Sequence, residues 1–252
     1  MRVKIITILL LAGFAAIASV PKQEVEHRLK FGIDEFYTIL LYDGSSNSSQ
    51  LANEKFSAYF AHLRKKQLKY KTQDQFVEYA FYYIHKKLLK NYYEYASINQ
   101  TLESGAYDCV TGTAIYSLFF TELEIPFSVI ETNYHIYVLA FPDTKNEILI
   151  ETTDPLGGFI SDPQQIAARK QLYLSNNAEV MENQIDLAWD VETRLKGTDL
   201  MGVLLFNQSI KQYNLGHKKE AIELATKAIS YYSSNRISNY LAFIKGHQFA
   251  SN

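Results

Sequence analysis

The sequence predicts an α+β chain, and three observations carry that reading. Apolar residues recur with helical spacing near both ends, through Val25, Leu29, Ile33, Phe36, Tyr37 and Leu40 and again from Leu204 to Tyr232. Between them three short β-like runs follow one another from Phe127 to Thr153, each bounded by turn residues. One helix-patterned segment stands directly ahead of those runs, so a helix packed on a small antiparallel sheet is the expected centre.

The chain opens with the pattern of an export signal. Met1-Arg2-Val3-Lys4 supplies positive charge, Ile5 to Ala18 is an apolar run, and Ala16-Ile17-Ala18 has the small-x-small form of a cleavage site. Cleavage after Ala18 is expected, which makes residues 1–18 a signal peptide and the protein periplasmic or extracellular. The run is shorter than the ~20 residues that span a bilayer, so no integral membrane span is expected after cleavage, an uncleaved anchor being the competing reading.

Residues 19–71 read as a helical extension. One helix is expected from Lys22 to about Tyr42, ended by Asp43-Gly44-Ser45-Ser46-Asn47-Ser48-Ser49, and a second from Leu51 to Lys65. Thr72-Gln73-Asp74-Gln75 has the form of a capping box for a further helix running to about Tyr95. Its apolar face includes Phe76, Ala80, Tyr83, Ile84 and Leu88, and its many tyrosines suit half-buried positions, with a sugar- or peptide-stacking platform as the functional alternative. His85 reads as a residue of the helix surface.

The central helix begins at Cys109, the single cysteine of the chain. Gly105 interrupts what precedes it, Asp108 is a good N-cap, and Ala114, Ile115, Leu118 and Phe119 follow with helical spacing to about Glu122. A thiol in the first turn of a helix faces unpaired N–H groups and the positive end of the dipole, both of which favour thiolate. A lone cysteine is also the pattern of a small buried apolar residue.

Ile125-Pro126 closes that helix, Phe127 to Thr132 reads as a strand, His135 to Phe141 as a second, and Glu147 to Thr153 as a third that delivers Asp154. The lengths are mutually consistent. A helix of fourteen residues travels roughly 20 Å and a seven-residue strand returns roughly 23 Å, so His135 can arrive level with Cys109. The next hairpin repeats the excursion and can set Asp154 beside His135.

With Cys109 opening a helix, Ile125-Pro126 closing it, His135-Ile136-Tyr137-Val138 and then Asp154-Pro155, the stretch from roughly Thr72 to Gly158 resembles the transglutaminase-like superfamily, whose active-site layout is related to that of papain-type proteases. Where that family commonly has Gly before Ile-Pro, this chain has Glu124. The resemblance implies a core over residues 72–198 and a papain-like Cys-His-Asp triad. Cys109 would attack a carbonyl, His135 would move the proton, and Asp154 would hold the imidazole. The backbone N–H of Cys109 is one natural oxyanion donor, and Gln100, or Asn99 beside it, in what reads as a loop before the helix, is the weaker candidate for the second.

Composition narrows the classes. Hydrophobic content of 47% against charged content of 21% is that of a globular chain. A formal net charge of −2, with no basic stripe, argues against a nucleic-acid partner. One cysteine permits no intramolecular disulfide. The six histidines are scattered without ligand-pair spacing, so neither a metal nor another cofactor is expected.

Beyond the turn at Leu156 to Pro163 a helix fits Pro163 to Leu174, while Gln184 to Thr193 is irregular. Residues 199–252 resemble a tetratricopeptide-type helical repeat: Leu204 to Leu215 and Lys218 to Tyr232 form a pair about Gly216, with Ser209, Ala221 and Ala228 as small packing positions and a capping helix from Ile237 to Phe249. One repeat cannot bury its own face, so it should dock on the core or on a protein partner. Two functions of different class are therefore expected to compete. The first is an exported thiol-dependent enzyme acting on an amide or peptide bond, by hydrolysis rather than cross-linking, with a peptide or protein substrate. The second is a non-catalytic envelope interaction protein that keeps the fold.

Overall fold

The computed structural model describes residues 46–132, 134–181, 192–196 and 198–249. The export segment, the helix expected over 22–42 and most of the irregular stretch 184–193 lie outside the described residues.

The molecule is organised around one helix that is buried on every side. Among the described elements α1 is Ser46–Gln67, α2 Gln73–Leu88, β1 Asn91–Tyr92, α3 Ile98–Ser104, β2 Ala106–Tyr107 and α4 Cys109–Glu122. Every residue of α4 from Val110 to Phe120 is buried, which requires neighbours all round it. On one side α1 and α2 supply them: Phe56 meets Phe119 with ring centroids 4.7 Å apart, and the Tyr116 hydroxyl donates to the Phe81 carbonyl at 2.9 Å. The end of α1 also satisfies carbonyls at the close of α4, through Arg64 Nη1 to Glu122 O at 2.9 Å and Gln67 Nε2 to Leu123 O at 3.0 Å.

The other side of α4 is covered by a five-stranded antiparallel sheet. Its strands are β3 Phe127–Glu131, β4 Ile136–Ala140, β5 Ile148–Ile150, β6 Phe159–Ile160 and β7 Thr193–Arg194, in the order β6-β5-β4-β3-β7. The pleat divides the strand residues between two layers. Ile136, Val138, Ala140, Ile148 and Ile150 join the core around α4, whereas Tyr137, Leu139 and Leu149 pack with Ile166 and Tyr173 of α5, Pro163–Met181. Mixed helix and antiparallel sheet, the α+β class read from the sequence, is thus what the chain adopts.

Helices α6 Asp199–Asn214, α7 Lys218–Tyr231 and α8 Asn235–Phe249 complete the described chain. The α6–α7 turn needs Gly216, whose φ is +83°. At Gly202 any side chain would collide with the end of α7, since a Cβ there would lie 2.4 Å from the Tyr232 Cβ. The hairpin rests on the core, with Leu200, Met201, Val203 and Leu204 buried in the same cluster as α4.

Four local expectations are corrected. The helix expected to reach Tyr95 stops at Leu88, because Asn91 and Tyr92 pair in parallel with Ala106 and Tyr107 and leave the helical path. Thr72 is its N-cap but makes no side-chain capping bond, so Thr72 to Gln75 is not a closed capping box. The residues read as a loop before Cys109 contain α3, started by a Ser97–Gln100 capping box and ended by Gly105 in the left-handed region. His85 is buried, 5% exposed, among the rings of Phe81, Tyr107 and Tyr116.

Candidate active site

Cys109 is the first residue of α4, where the sequence puts it. Asp108 caps the helix: its Oδ1 accepts from the Thr111 N–H at 2.8 Å, and the Thr111 hydroxyl oxygen accepts from the Asp108 N–H at 2.9 Å. The thiol is half-buried, with the N–H groups of Cys109 and Val110 directed at the sulfur. Those donors favour thiolate, yet burial and the negative charges of Asp108 and Glu151 outweigh them and push the thiol up to about 12. Stabilisation of a thiolate by the helix terminus, expected from the sequence, is thus opposed first by burial and then by those two charges.

His135 sits in the turn between β3 and β4. The turn is tied by Thr132, whose N–H donates to the His135 carbonyl at 2.7 Å and whose hydroxyl oxygen accepts from the His135 N–H at 3.1 Å. The imidazole Nε2 lies 2.5 Å from Glu151 Oε2. Glu151 is almost fully buried and its remaining acceptor sites are filled: the Tyr173 hydroxyl donates to Oε2, while Oε1 takes the Thr153 N–H at 2.9 Å and the Thr153 hydroxyl at 2.6 Å. Burial opposes its ionisation, but the His135 hydrogen bond and charge, with Thr153 and Tyr173, hold its carboxyl down to about 2. The Tyr173 ring also packs on the imidazole, centroids 4.7 Å apart, so the α5 layer fixes both the ring and the carboxylate.

Asp154, the expected third member, is not at the ring. The turn from Glu151 to Gly158 carries it away, and its carboxylate accepts from the Gly157 N–H at 2.8 Å and from Arg169 Nη2 at 3.4 Å. The register explains the exchange. Val138 pairs with Ile150 and Leu139 with Leu149, so Glu151 continues the layer of Tyr137 and Leu149, diagonal to His135, whereas Asp154 lies past the ladder. A charged residue closing the apolar run Ile148-Leu149-Ile150 was the available signal for Glu151.

Gln100, the weaker oxyanion candidate, is tied into α3 and is not among the residues that line the cavity beside Cys109. Its Oε1 accepts from the Ser97 N–H at 3.0 Å, closing the capping box of α3, and from Lys211 Nζ at 3.2 Å. Cys109 and His135 do share one place: both residues line a cavity of about 340 Å³. Tyr92, Tyr134 and Ile136 line it too, and the helical C-terminal region supplies Val203, Phe206, Asn207, Ile210 and Arg236. Sequence reasoning missed this second set entirely.

Two polar ties hold the C-terminal wall to the core. Asn207 Nδ2 donates to Asp108 Oδ2 at 2.6 Å, linking α6 to the cap of the cysteine helix. Arg236 of α8 pairs with the buried Glu131 at the end of β3, which also accepts from the Tyr232 hydroxyl at 2.8 Å. Gly112 allows the complementary approach on the other side of α4, since a Cβ there would lie 2.7 Å from Thr152 Oγ1, next to Glu151.

Among the described residues no group of three or more His, Cys, Asp or Glu side chains is placed to hold a metal ion, and no helix is long and apolar enough to cross a membrane. Fold and site together define an α+β chain with a helix-borne thiol and a histidine–carboxylate pair around a shared cavity. No protein-family model, curated protein or solved structure matches the chain.

Proposed function

We propose that this chain is an exported acyl-transfer enzyme of transglutaminase-like type, acting on an amide or peptide bond through Cys109, His135 and Glu151. The observation that carries the reading is the His135–Glu151 pair, 2.5 Å between Nε2 and Oε2, on the cavity that Cys109 also lines. With Nε2 committed to Glu151, Nδ1 is the nitrogen left to take the thiol proton. Because the thiol is held protonated, the chemistry fits general-base delivery during attack rather than a preformed ion pair. The sulfur attacks the carbonyl carbon as its proton passes to His135, and the negative charge that develops on oxygen is met by the N–H groups of Cys109 and Val110. His135 then protonates the leaving amine, Glu151 steadies the imidazolium, and water cleaves the thioester. Hydrolysis is preferred to cross-linking because no feature of the cavity marks an amine acceptor site.

A specific observation favours the second reading, a non-catalytic interaction protein: the raised thiol pKa is what a merely buried cysteine shows. Incubation with p-nitrophenyl acetate separates the two. The enzyme reading expects nitrophenolate release with one acetyl group gained at Cys109, lost in Cys109→Ala and strongly slowed in His135→Ala. Equal release from wild type and Cys109→Ala leaves the interaction protein.

A further inference from the structure

The acyl-transfer reading leaves open what the cleft recognises, and the composition of its C-terminal wall bears on that. Val203, Phe206, Asn207 and Ile210 follow at i, i+3, i+4 and i+7 on α6, so a single helical face lines the cavity that holds the thiol. Three of those four side chains are apolar. The charged groups of the cavity already have partners within the protein: Asp108 is bonded by Thr111 and Asn207, Glu131 by Arg236 and Tyr232, and Glu94 by Tyr95. None of them calls for a charge on the ligand. Beyond these satisfied pairs the lining is apolar at Ile136, Val203, Phe206 and Ile210, beside the rings of Tyr92 and Tyr134, in a volume of about 340 Å³.

We propose that the cleft selects acyl donors carrying an apolar side chain, and that Val203, Phe206 and Ile210 are the surface that reads it. This rests on the thiol chemistry proposed above. It gives the C-terminal helices a role in specificity that docking alone would not require. The Asp108–Asn207 and Glu131–Arg236 ties then serve to hold the selecting face at a constant distance from the sulfur.

The test compares two esters on the full chain, p-nitrophenyl acetate and p-nitrophenyl hexanoate. In each case the Cys109 sulfur bonds to the acyl carbon, the thiol proton passes to His135, and nitrophenolate leaves. Water later releases the carboxylic acid and restores the thiol. Rates are divided by those of free N-acetylcysteine to remove intrinsic reactivity. The corrected hexanoate-to-acetate ratio is expected to reach about tenfold or more, the discrimination that a hydrophobic pocket achieves. Ile210→Trp, which fills the cavity, and Ile210→Ser, which makes the wall polar, should both lower that ratio. A wild-type ratio near one, or one that neither variant changes, overturns the selectivity while leaving the thiol chemistry standing. Absence of any Cys109-dependent acylation by either ester overturns both.

Discussion

Glu151, not Asp154, is the carboxylate bonded to His135: its Oε2 lies 2.5 Å from the imidazole Nε2, and Asp154 is turned toward Gly157 and Arg169. The two carboxylates stand three residues apart and make opposite predictions. Glu151→Gln should slow Cys109 acylation by about 100-fold or more, the scale of a lost acid–base partner. Asp154→Asn should leave that rate close to the wild type's, since the Asp154 carboxylate bonds Gly157 and Arg169 and not the ring. Nitrophenolate release measured on both variants decides the assignment, and the reverse order of effects would return the role to Asp154.

The thiol should be unreactive in the resting protein at neutral pH. With Cys109 pushed up to about 12, its alkylation by iodoacetamide should rise about tenfold per pH unit from pH 7 upward, following the thiolate fraction. Asp108→Asn removes one of the charges responsible and keeps an efficient N-cap, so it should speed alkylation at pH 7 with little loss of stability. A plateau in rate already reached near pH 7 in the wild type would contradict this electrostatic account.

His85 should make the fold acid-sensitive. Neither of its ring nitrogens has a hydrogen-bond partner among the described residues, and burial lowers it to about 4 although Asp154 and Glu151 pull the other way. The folded state thus resists protonation that the unfolded chain accepts near 6.5. The stabilisation is complete above that value and is lost as pH falls from 6.5 to 4, by about 3 kcal/mol. Glu151, held down to about 2, contributes to stability above its ordinary value and loses that contribution at lower pH than His85 does. Urea unfolding at pH 7 and pH 5 measures the loss, and His85→Phe should reduce the difference by the histidine's share.

The tie between Arg236 and Glu131 should matter to stability as well as to the cleft. Both side chains are largely buried, so Arg236→Ala strands a carboxylate in the interior and should cost about 3 kcal/mol by chemical denaturation. Changing both residues together, Glu131→Met with Arg236→Met, should cost less than the single change, because no charge is left uncompensated. A single variant as stable as the wild type would mean that the carboxylate finds solvent.

The central layer was legible because its signals are local. Asp108 reads as a cap from its neighbours, Ala114, Ile115, Leu118 and Phe119 recur with helical spacing, and Ile125-Pro126 forces the stop. The hairpins from Phe127 to Ile150 were legible as short apolar, β-branched and aromatic runs bounded by turn residues. The short parallel pair β1–β2 and the burial of His85 were not, because both depend on contacts with segments that sequence spacing does not name. His85 illustrates the point: polar, and on a helix with exposed lysines at Lys86 and Lys87, it is covered only when α4 and Tyr107 are brought over it.

By itself the sequence determined the α+β class, the helix that begins at Cys109, and the arrival of His135 at the head of a strand, since each follows from residues within a few turns of one another. Tertiary structure alone decided that Glu151 takes the ring, that burial, with Asp108 and Glu151 beside it, raises the thiol, and that α6 and α8 wall the cleft. Strand register and helix docking are set by how buried faces fit together, and the energy that selects among fits is spread over many contacts between distant segments.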